Sequence, residues 1–158
     1  MPVDLIAFVE AFPDPQENVA AAVRNDASGT YLDKLFTFVD EDFECVMHFT
    51  GMNDVVYRGG PDALRRAYVD RVKGVVSYRQ EFLGIIDAGD VVVVFHRGYI
   101  QRAASDVESI VEVGSIWTTG DHGFKKAELS LPARDARAIA YTAAANAYTA
   151  ANAPQATP

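Results

Sequence analysis

The chain has 158 residues and a mass of 17.2 kDa, a length typical of one domain. Hydrophobic residues make up 49% of it and charged residues 23%, which supplies enough apolar material for a core and excludes a wholly disordered chain. The formal net charge of −8 disfavours binding to the phosphate backbone of a nucleic acid.

The sequence shows no membrane span, secretory leader or cysteine framework. No apolar run reaches the ~18 residues that a membrane helix needs, and no basic stretch leads into an apolar one with a small-residue cleavage site. Cys45 is the single cysteine, so an internal disulfide and a multi-cysteine zinc site are excluded. We therefore predict a cytoplasmic protein with no membrane or nucleic-acid partner.

The first half of the chain is predicted to be mainly helical. Pro13 and Pro15 interrupt an apolar run, which favours an N-terminal arm or short turn over residues 1–15. Apolar residues then recur at helical spacing, and two short alternating segments interrupt them. These patterns predict helices at residues 17–25, 30–39 and 61–73, and strands at residues 43–49 and 55–58.

The second half is predicted to be mainly strands. Alternating apolar segments between polar turns predict four long antiparallel strands, at residues 75–87, 91–102, 107–118 and 124–131. The alanine-rich stretch that follows predicts a loosely attached helix, because it carries little apolar bulk. The resulting boundaries are an arm (1–15), a folded domain (16–132), a C-terminal helix (133–152) and a disordered tail (153–158).

The order of the elements predicts the fold class. Helices and strands are segregated rather than alternating, which is typical of α+β proteins. We expect a curved antiparallel sheet wrapped around three N-terminal and central helices, because a long sheet with helices on one face must curve to enclose them. Such a sheet forms a cone with an internal pocket.

Four segments of the sequence resemble the motifs of a known superfamily. They are a helix, acidic turn and strand over residues 32–43, the helix entry YRGGPDALR over 57–65, the hairpin IDAGDVVV over 86–93, and IWT at 116–118 before a turn ending at Gly123. In order and spacing they resemble the SnoaL-like branch of the nuclear-transport-factor-2-like superfamily, whose members form a cystatin-like α+β cone. The resemblance spans residues 18–132 and implies this fold.

The resemblance does not imply one function. The superfamily includes ketosteroid isomerases, polyketide cyclases, scytalone dehydratase, limonene-epoxide hydrolases and non-catalytic binding domains, and fold alone does not decide among them. Where a ketosteroid isomerase has its catalytic groups, this chain has Val23, Met47 and Ser115. Where a limonene-epoxide hydrolase has Asp, Arg and Asp, this chain has Tyr99, Arg97 and Ser130. Neither chemistry is therefore expected.

Pairing across the turn at Ala88-Gly89 decides which side chains face the pocket. A two-residue turn there sets three pairs on one face, namely Phe82–Phe95, Gln80–Arg97 and Tyr78–Tyr99. We assign this face to the concave side because the resemblance places Arg97 there. The outer face then carries Arg79, Glu81, Leu83, Val94 and His96. Since no helix is left to cover it, we predict a homodimer through this face.

Three residues are candidates for catalysis. His48 titrates near neutrality and is a candidate general acid or base at the pocket mouth, or else a histidine exposed at a strand end. Arg97 is a candidate clamp for a ligand oxygen, or else a paired charge at the sheet rim, and Glu112 is either a base or the partner of Arg97. The predicted pocket residues are Met47, Tyr57, Tyr78, Phe82, Phe95, Tyr99, Ser115 and Trp117. The three histidines have no metal-ligand spacing, so no metal is predicted.

These features leave three functions open. The first is an enzyme that acts by proton transfer, without a cofactor, on a hydrophobic ring- or carbonyl-containing metabolite, as in isomerisation, cyclisation, dehydration or hydrolysis. The second is a binding module whose pocket holds a small apolar or aromatic ligand without chemistry. The third is a structural dimer with a filled interior. An ionisable group inside an open pocket favours the first, and an open apolar pocket alone favours the second.

Overall fold

The computed structural model describes residues 3–49 and 51–154, and its helices pack against one six-stranded sheet. The helices are α1 (Leu5–Glu10), α2 (Val19–Arg24), α3 (Asp33–Phe36), α4 (Pro61–Arg71) and α5 (Ala133–Ala151). The strands are β1 (Val39–Met47), β2 (Val55–Arg58), β3 (Val75–Asp87), β4 (Val91–Arg102), β5 (Glu108–Thr119) and β6 (Phe124–Pro132). The predicted α+β class is confirmed. No helix in the described ranges is long and apolar enough to cross a membrane.

The sheet has the strand order β2-β1-β6-β5-β4-β3 and is open. Its neighbouring strands run antiparallel except for β1 and β6, which pair in parallel. The sheet is therefore mixed, whereas the sequence predicts an antiparallel one. Hairpin turns impose antiparallel pairing only on consecutive strands, and β1 and β6 are joined through most of the domain.

The inner face of the sheet, which we define as the face that carries Trp117, is covered by helices. Asp4 caps α1 by accepting hydrogen bonds from two backbone amides of its first turn. Phe8 of α1 is fully buried, and its ring lies 5.0 Å from that of Trp117 and 4.8 Å from that of Phe124. The stretch predicted as an arm therefore fills much of the interior.

The outer face of the sheet is partly covered by α5. Ala136 and Ala140 are fully buried against Val93 and Ile116, and a Cβ atom at Gly114 would collide with that of Ala136. Small side chains on both surfaces let the helix approach the sheet closely. The prediction that no helix covers this face is therefore wrong. Most of the predicted tail, residues 155–158, lies outside the described residues.

A β-bulge in β3 sets the pairing of the long hairpin. Gly84 lies opposite Phe95, but Phe82 lies opposite His96, so Leu83 is an extra residue in β3. Counted from the turn, one extra residue in β3 moves the side chains beyond it, at residues 77–82, to the other face relative to β4. The predicted pairs are therefore wrong: Tyr78 and Gln80 share the inner face with Val94 and His96, while Phe95, Arg97 and Tyr99 lie on the outer face.

Candidate functional site

A cavity of about 800 Å³ lies between the N-terminal part of the chain and the inner face of β3 and β4. One wall is formed by residues 9–15, Glu17 and residues 30–34. The opposite wall is formed by Gln80, Glu81, Phe82 and His96. The volume falls in the range of pockets that bind small molecules.

The N-terminal wall is held in place by its own sequence. Pro13 and Pro15 follow α1 and cannot continue a helix, so the chain crosses the sheet in an irregular segment. Asn18 then caps α2 with its side-chain oxygen. The same side chain donates to the carbonyl of Val76 (3.2 Å) and accepts from the amide of Tyr78 (3.2 Å), which ties the segment to β3.

Gln80 presents an unpaired amide nitrogen at the sheet wall. Its residue exposure is 5%, and its Oε1 accepts a hydrogen bond from the hydroxyl of Tyr78 (3.2 Å). Its Nε2 has no partner among the described residues. Buried polar atoms are nearly always hydrogen-bonded in folded proteins. The amide of this cavity-lining residue therefore keeps two N–H donors without an acceptor.

His96 lies beside Gln80 on the same wall and is 6% exposed. Its ring stacks at a tilt against Phe12 (centroids 4.8 Å), and Phe82 approaches it edge-on at 6.1 Å. Nε2 has no partner among the described residues. Burial lowers the pKa of His96 to about 4, so the imidazole is neutral at physiological pH. A neutral imidazole has one donor and one acceptor nitrogen.

A smaller inner pocket of about 30 Å³ lies behind this wall, between the sheet and the end of α4. Phe12 and Gln80 line both this pocket and the large cavity. Its other polar side chains are those of Tyr68, Arg71, Tyr78, Ser115 and Ser130.

The predicted pocket residues divide between the interior and the outer face. Tyr78 and Ser115 line the inner pocket, and Phe82 lines the large cavity. Met47, Tyr57 and Trp117 are buried in the core and line neither. The hydroxyl of Tyr57 donates to Asp70 (2.6 Å), and Trp117 donates to Ser115 Oγ (2.8 Å). Phe95 and Tyr99 lie on the outer face, so the prediction that they line the pocket is wrong.

Arg97 points away from the interior. It donates to Glu112 Oε1 (2.9 Å) and lies 3.7 Å from Glu81 Oε2, which also accepts from the hydroxyl of Tyr99 (3.0 Å). The hydrogen bond that Arg97 donates to Glu112 raises the pKa of Arg97. The expectation that Arg97 faces the pocket is wrong because side chains alternate along β4, where Val92 and Val94 face the interior, whereas the expected pairing with Glu112 is present.

His48 follows β1 and lines neither cavity. Its Nδ1 lies 2.8 Å from Asp54 Oδ1, and its Nε2 lies 3.6 Å from Glu128 Oε1. The structure therefore does not bring His48 together with Arg97 and Glu112. No group of three His, Cys, Asp or Glu side chains within the described ranges is arranged to hold a metal ion.

Gln80 was predicted on the concave face but not as a site residue, and His96 and Arg71 were not predicted to line a cavity. Gly84 was the available signal, because a glycine inside a strand often marks a bulge. A bulge there shifts β3 against β4, so that Gln80 shares a face with His96 and not with Arg97.

Comparisons with known proteins show the fold. No family model matches the chain, and no curated protein matches it. Among solved structures, it is similar to a hypothetical protein with a ketosteroid isomerase-like fold from Catenulispora acidiphila, in complex with trimethylamine (14% identity, TM-score 0.56, covering 79% of this chain and 85% of that one). It is also similar to TerC co-crystallised with polyporic acid (15% identity, TM-score 0.56, covering 85% of this chain and 98% of that one).

A third similar structure is a putative SnoaL-like polyketide cyclase from Jannaschia sp. (16% identity, TM-score 0.52, covering 91% of this chain and 99% of that one). These likenesses agree with the motif resemblance. The chain has the nuclear-transport-factor-2-like, or cystatin-like, α+β cone fold. At these identities the comparisons define the fold and not the activity.

Proposed function

We propose that the protein binds a small, largely apolar molecule that contains a ring and a carbonyl oxygen. The observation that carries this proposal is the pair of buried, unpartnered nitrogen atoms, Gln80 Nε2 and His96 Nε2, on the wall of the 800 Å³ cavity. The cavity combines apolar side chains such as those of Phe12, Leu32 and Phe82 with polar and charged ones, among them Glu10, Asp14, Glu17, Asp33 and Glu81. Polar groups in such a site fix the orientation of a ligand.

The hydrogen bond between Tyr78 and Gln80 favours a ligand that carries a hydrogen-bond acceptor. Tyr78 donates to Oε1 of the amide, which fixes Nε2 as the group that is free to bind. That nitrogen only donates, and a carbonyl oxygen is the matching acceptor. The rings of Phe12 and Phe82 both lie near His96 and supply apolar surface for a ring.

Binding fits this wall better than proton transfer does. A general base works best when its pKa lies near the working pH, and burial lowers the pKa of His96 to about 4. Proton-transfer chemistry of the isomerase, cyclase, dehydratase or hydrolase kind is the second candidate, because His96 is an ionisable group inside the cavity. Deuterium exchange at the methyl group next to the carbonyl of 4′-methylacetophenone separates the two. Exchange faster than in buffer, and lost in His96→Gln, would identify an enzyme.

The binding proposal is tested with a ketone and its hydrocarbon counterpart. 4′-Methylacetophenone and 4-ethyltoluene differ in the carbonyl oxygen and are titrated into ¹⁵N-labelled protein. Since one hydrogen bond contributes about 1 kcal/mol, Gln80→Leu should lower the ketone-to-hydrocarbon affinity ratio about fivefold. Gln101→Leu, on the neighbouring strand, is the matched control and should keep the wild-type ratio. Absence of saturable binding, or an unchanged ratio in Gln80→Leu, would contradict the proposal.

We also propose that the protein is a cytoplasmic homodimer. The part of the outer face left uncovered by α5 carries Ile110, which is 62% exposed. Its charges are matched in pairs, Arg79 with Glu108 and Arg97 with Glu112, so a second copy meets a surface with little net charge. Sedimentation velocity measures the mass directly. A single species of 17.2 kDa over a wide concentration range would reject the dimer.

A further inference from the structure

The inner pocket contains a cation without a counter-charge. Arg71 lies in the last turn of α4, is partly buried and lines this pocket. Its guanidinium contacts Ser130 Oγ and lies over the ring of Tyr78 (5.0 Å to the centroid). Within residues 3–49 and 51–154 it forms no ion pair, and none of the residues that line the pocket is acidic. A partly buried cation needs a partner of opposite charge or strong hydrogen bonds.

The other groups that line this pocket are also donors. Gln80 Nε2 is buried and unpartnered among the described residues. The hydroxyl oxygen of Ser115 accepts from Trp117, which leaves its own proton to donate. Arg71, Gln80 and Ser115 thus present N–H and O–H groups to one small space.

Ser130 is held in an unusual backbone conformation beside Arg71. Its φ is +64°, and it is the one non-glycine residue with positive φ in the part of the chain that the structure describes. The hydroxyl of Ser130 donates to Met47 Sδ (3.4 Å) while its oxygen contacts Arg71. A serine in this region is strained, and such residues cluster at ligand-binding sites. Here the conformation directs the hydroxyl onto the arginine.

We propose that the inner pocket is a binding site for a small oxyanion, namely the carboxylate of a small molecule. A bidentate guanidinium matches the two oxygens of a carboxylate, and Gln80 and Ser115 supply further donors. The volume of about 30 Å³ exceeds the roughly 10–15 Å³ that one water occupies, so it suits a group as small as formate. Gln80 is shared with the proposed function, but Arg71, Ser115 and Ser130 line only the inner pocket, so variants of Arg71 and Ser130 test this site separately.

Sodium formate is the probe, titrated at constant ionic strength with sodium fluoride as the balancing salt. The signals of Arg71 Nε and the Gln80 side-chain amide are followed by ¹H–¹⁵N NMR. A ligand of three heavy atoms is expected to bind with a dissociation constant on the order of millimolar. Arg71→Met should weaken binding at least tenfold, while Arg102→Met, which removes an exposed arginine at the end of β4, should leave it unchanged.

A second variant protects the test against misfolding. Ser130→Gly removes the hydroxyl and relieves the backbone strain, since glycine adopts positive φ freely. It should keep the fold and weaken formate binding about threefold or more. Saturable formate binding that is equal in the wild type, Arg71→Met and Ser130→Gly would overturn the proposal. Unsaturable shifts spread over surface residues would also overturn it, because they show only non-specific anion effects.

Discussion

Phe82 lies directly opposite His96 in the β3–β4 hairpin, one residue out of step with the pairing of Gly84 and Phe95. Side chains alternate along β4, so His96 lies on the inner face, where its ring meets Phe12 of the N-terminal segment, and Arg97 lies on the outer face, where the side chain meets Glu112. The bulge in β3 turns Phe82 and Gln80 to the same inner face as His96. One extra residue therefore decides that Gln80 joins His96 on the cavity wall.

The outward position of Arg97 predicts that its removal leaves ligand binding intact. Arg97→Ala breaks a partly exposed ion pair with Glu112, which contributes little to stability, and removes no group from either cavity. The affinity for 4′-methylacetophenone should equal that of the wild type in the NMR titration. A loss comparable to that of Gln80→Leu would mean that Arg97 reaches the ligand.

The buried position of His96 predicts a specific loss of stability in acid. Its pKa is about 4 in the folded protein against 6.5 ordinarily, so below pH 6.5 the unfolded chain binds a proton that the folded chain does not. The contribution of His96 to the free energy of unfolding is therefore fully present above pH 6.5. It is lost as the pH falls from 6.5 to 4, by ~3 kcal/mol at most. Urea unfolding of wild type and His96→Gln over this range measures the difference.

Two further groups act as references for that experiment. His122 is exposed in the turn before β6, so His122→Gln should follow the wild-type curve. Hydrogen bonds from Lys73 and Tyr57 lower the pKa of Asp70 below its ordinary value, so its contribution is lost at a pH below the His96 window. A His96→Gln protein that loses as much stability as the wild type between pH 6.5 and 4 would contradict the assignment.

The role of α1 in filling the interior predicts a large effect of Phe8→Ala. The ring is fully buried among Trp117, Phe124 and other aromatic side chains. Its removal should lower the free energy of unfolding by ~3–5 kcal/mol, measured by urea denaturation. Phe82→Ala, at a ring that is 40% exposed, is the matched control and should cost clearly less. Equal losses would show that α1 is not part of the core.

The close approach of α5 predicts that Gly114→Ala separates the helix from the sheet. A Cβ atom at this position collides with Ala136, whereas a Cβ atom at Gly84 meets nothing within 4 Å. Gly114→Ala should therefore lower the melting temperature and open α5 to limited proteolysis. Gly84→Ala should do neither. Protection of α5 in both variants would show that the helix is not docked through this contact.

Much of the fold could be predicted from local patterns. Residues 75–87 and 91–102 are rich in β-branched and aromatic residues, and a polar turn separates them. These signals are enough to define β3 and β4 with their observed bounds. The alanine-rich helix could be placed in the sequence but not in space. Its docking depends on the fit of Ala136 against Gly114, which no periodicity in either segment reveals.

The candidate site was harder to predict than the fold. Which β3 and β4 side chains share a face depends on the exact register of the hairpin. The single extra residue Leu83 changes that register and so changes the set. The cavity also needs a wall from residues 9–15, whose prolines indicate only that a helix ends there. Gln80 and His96 therefore become site residues only once these two distant parts of the chain are brought together.

The most direct test of the proposed binding site is the Gln80 side-chain amide signal during titration with 4′-methylacetophenone. We expect a saturable downfield shift of its Nε2 protons as the carbonyl oxygen accepts a hydrogen bond. It also predicts contacts between the ligand's aromatic protons and the rings of Phe12 and Phe82 in the same spectra. Saturable binding that leaves the Gln80 amide unchanged, or no binding at all, would contradict the central claim.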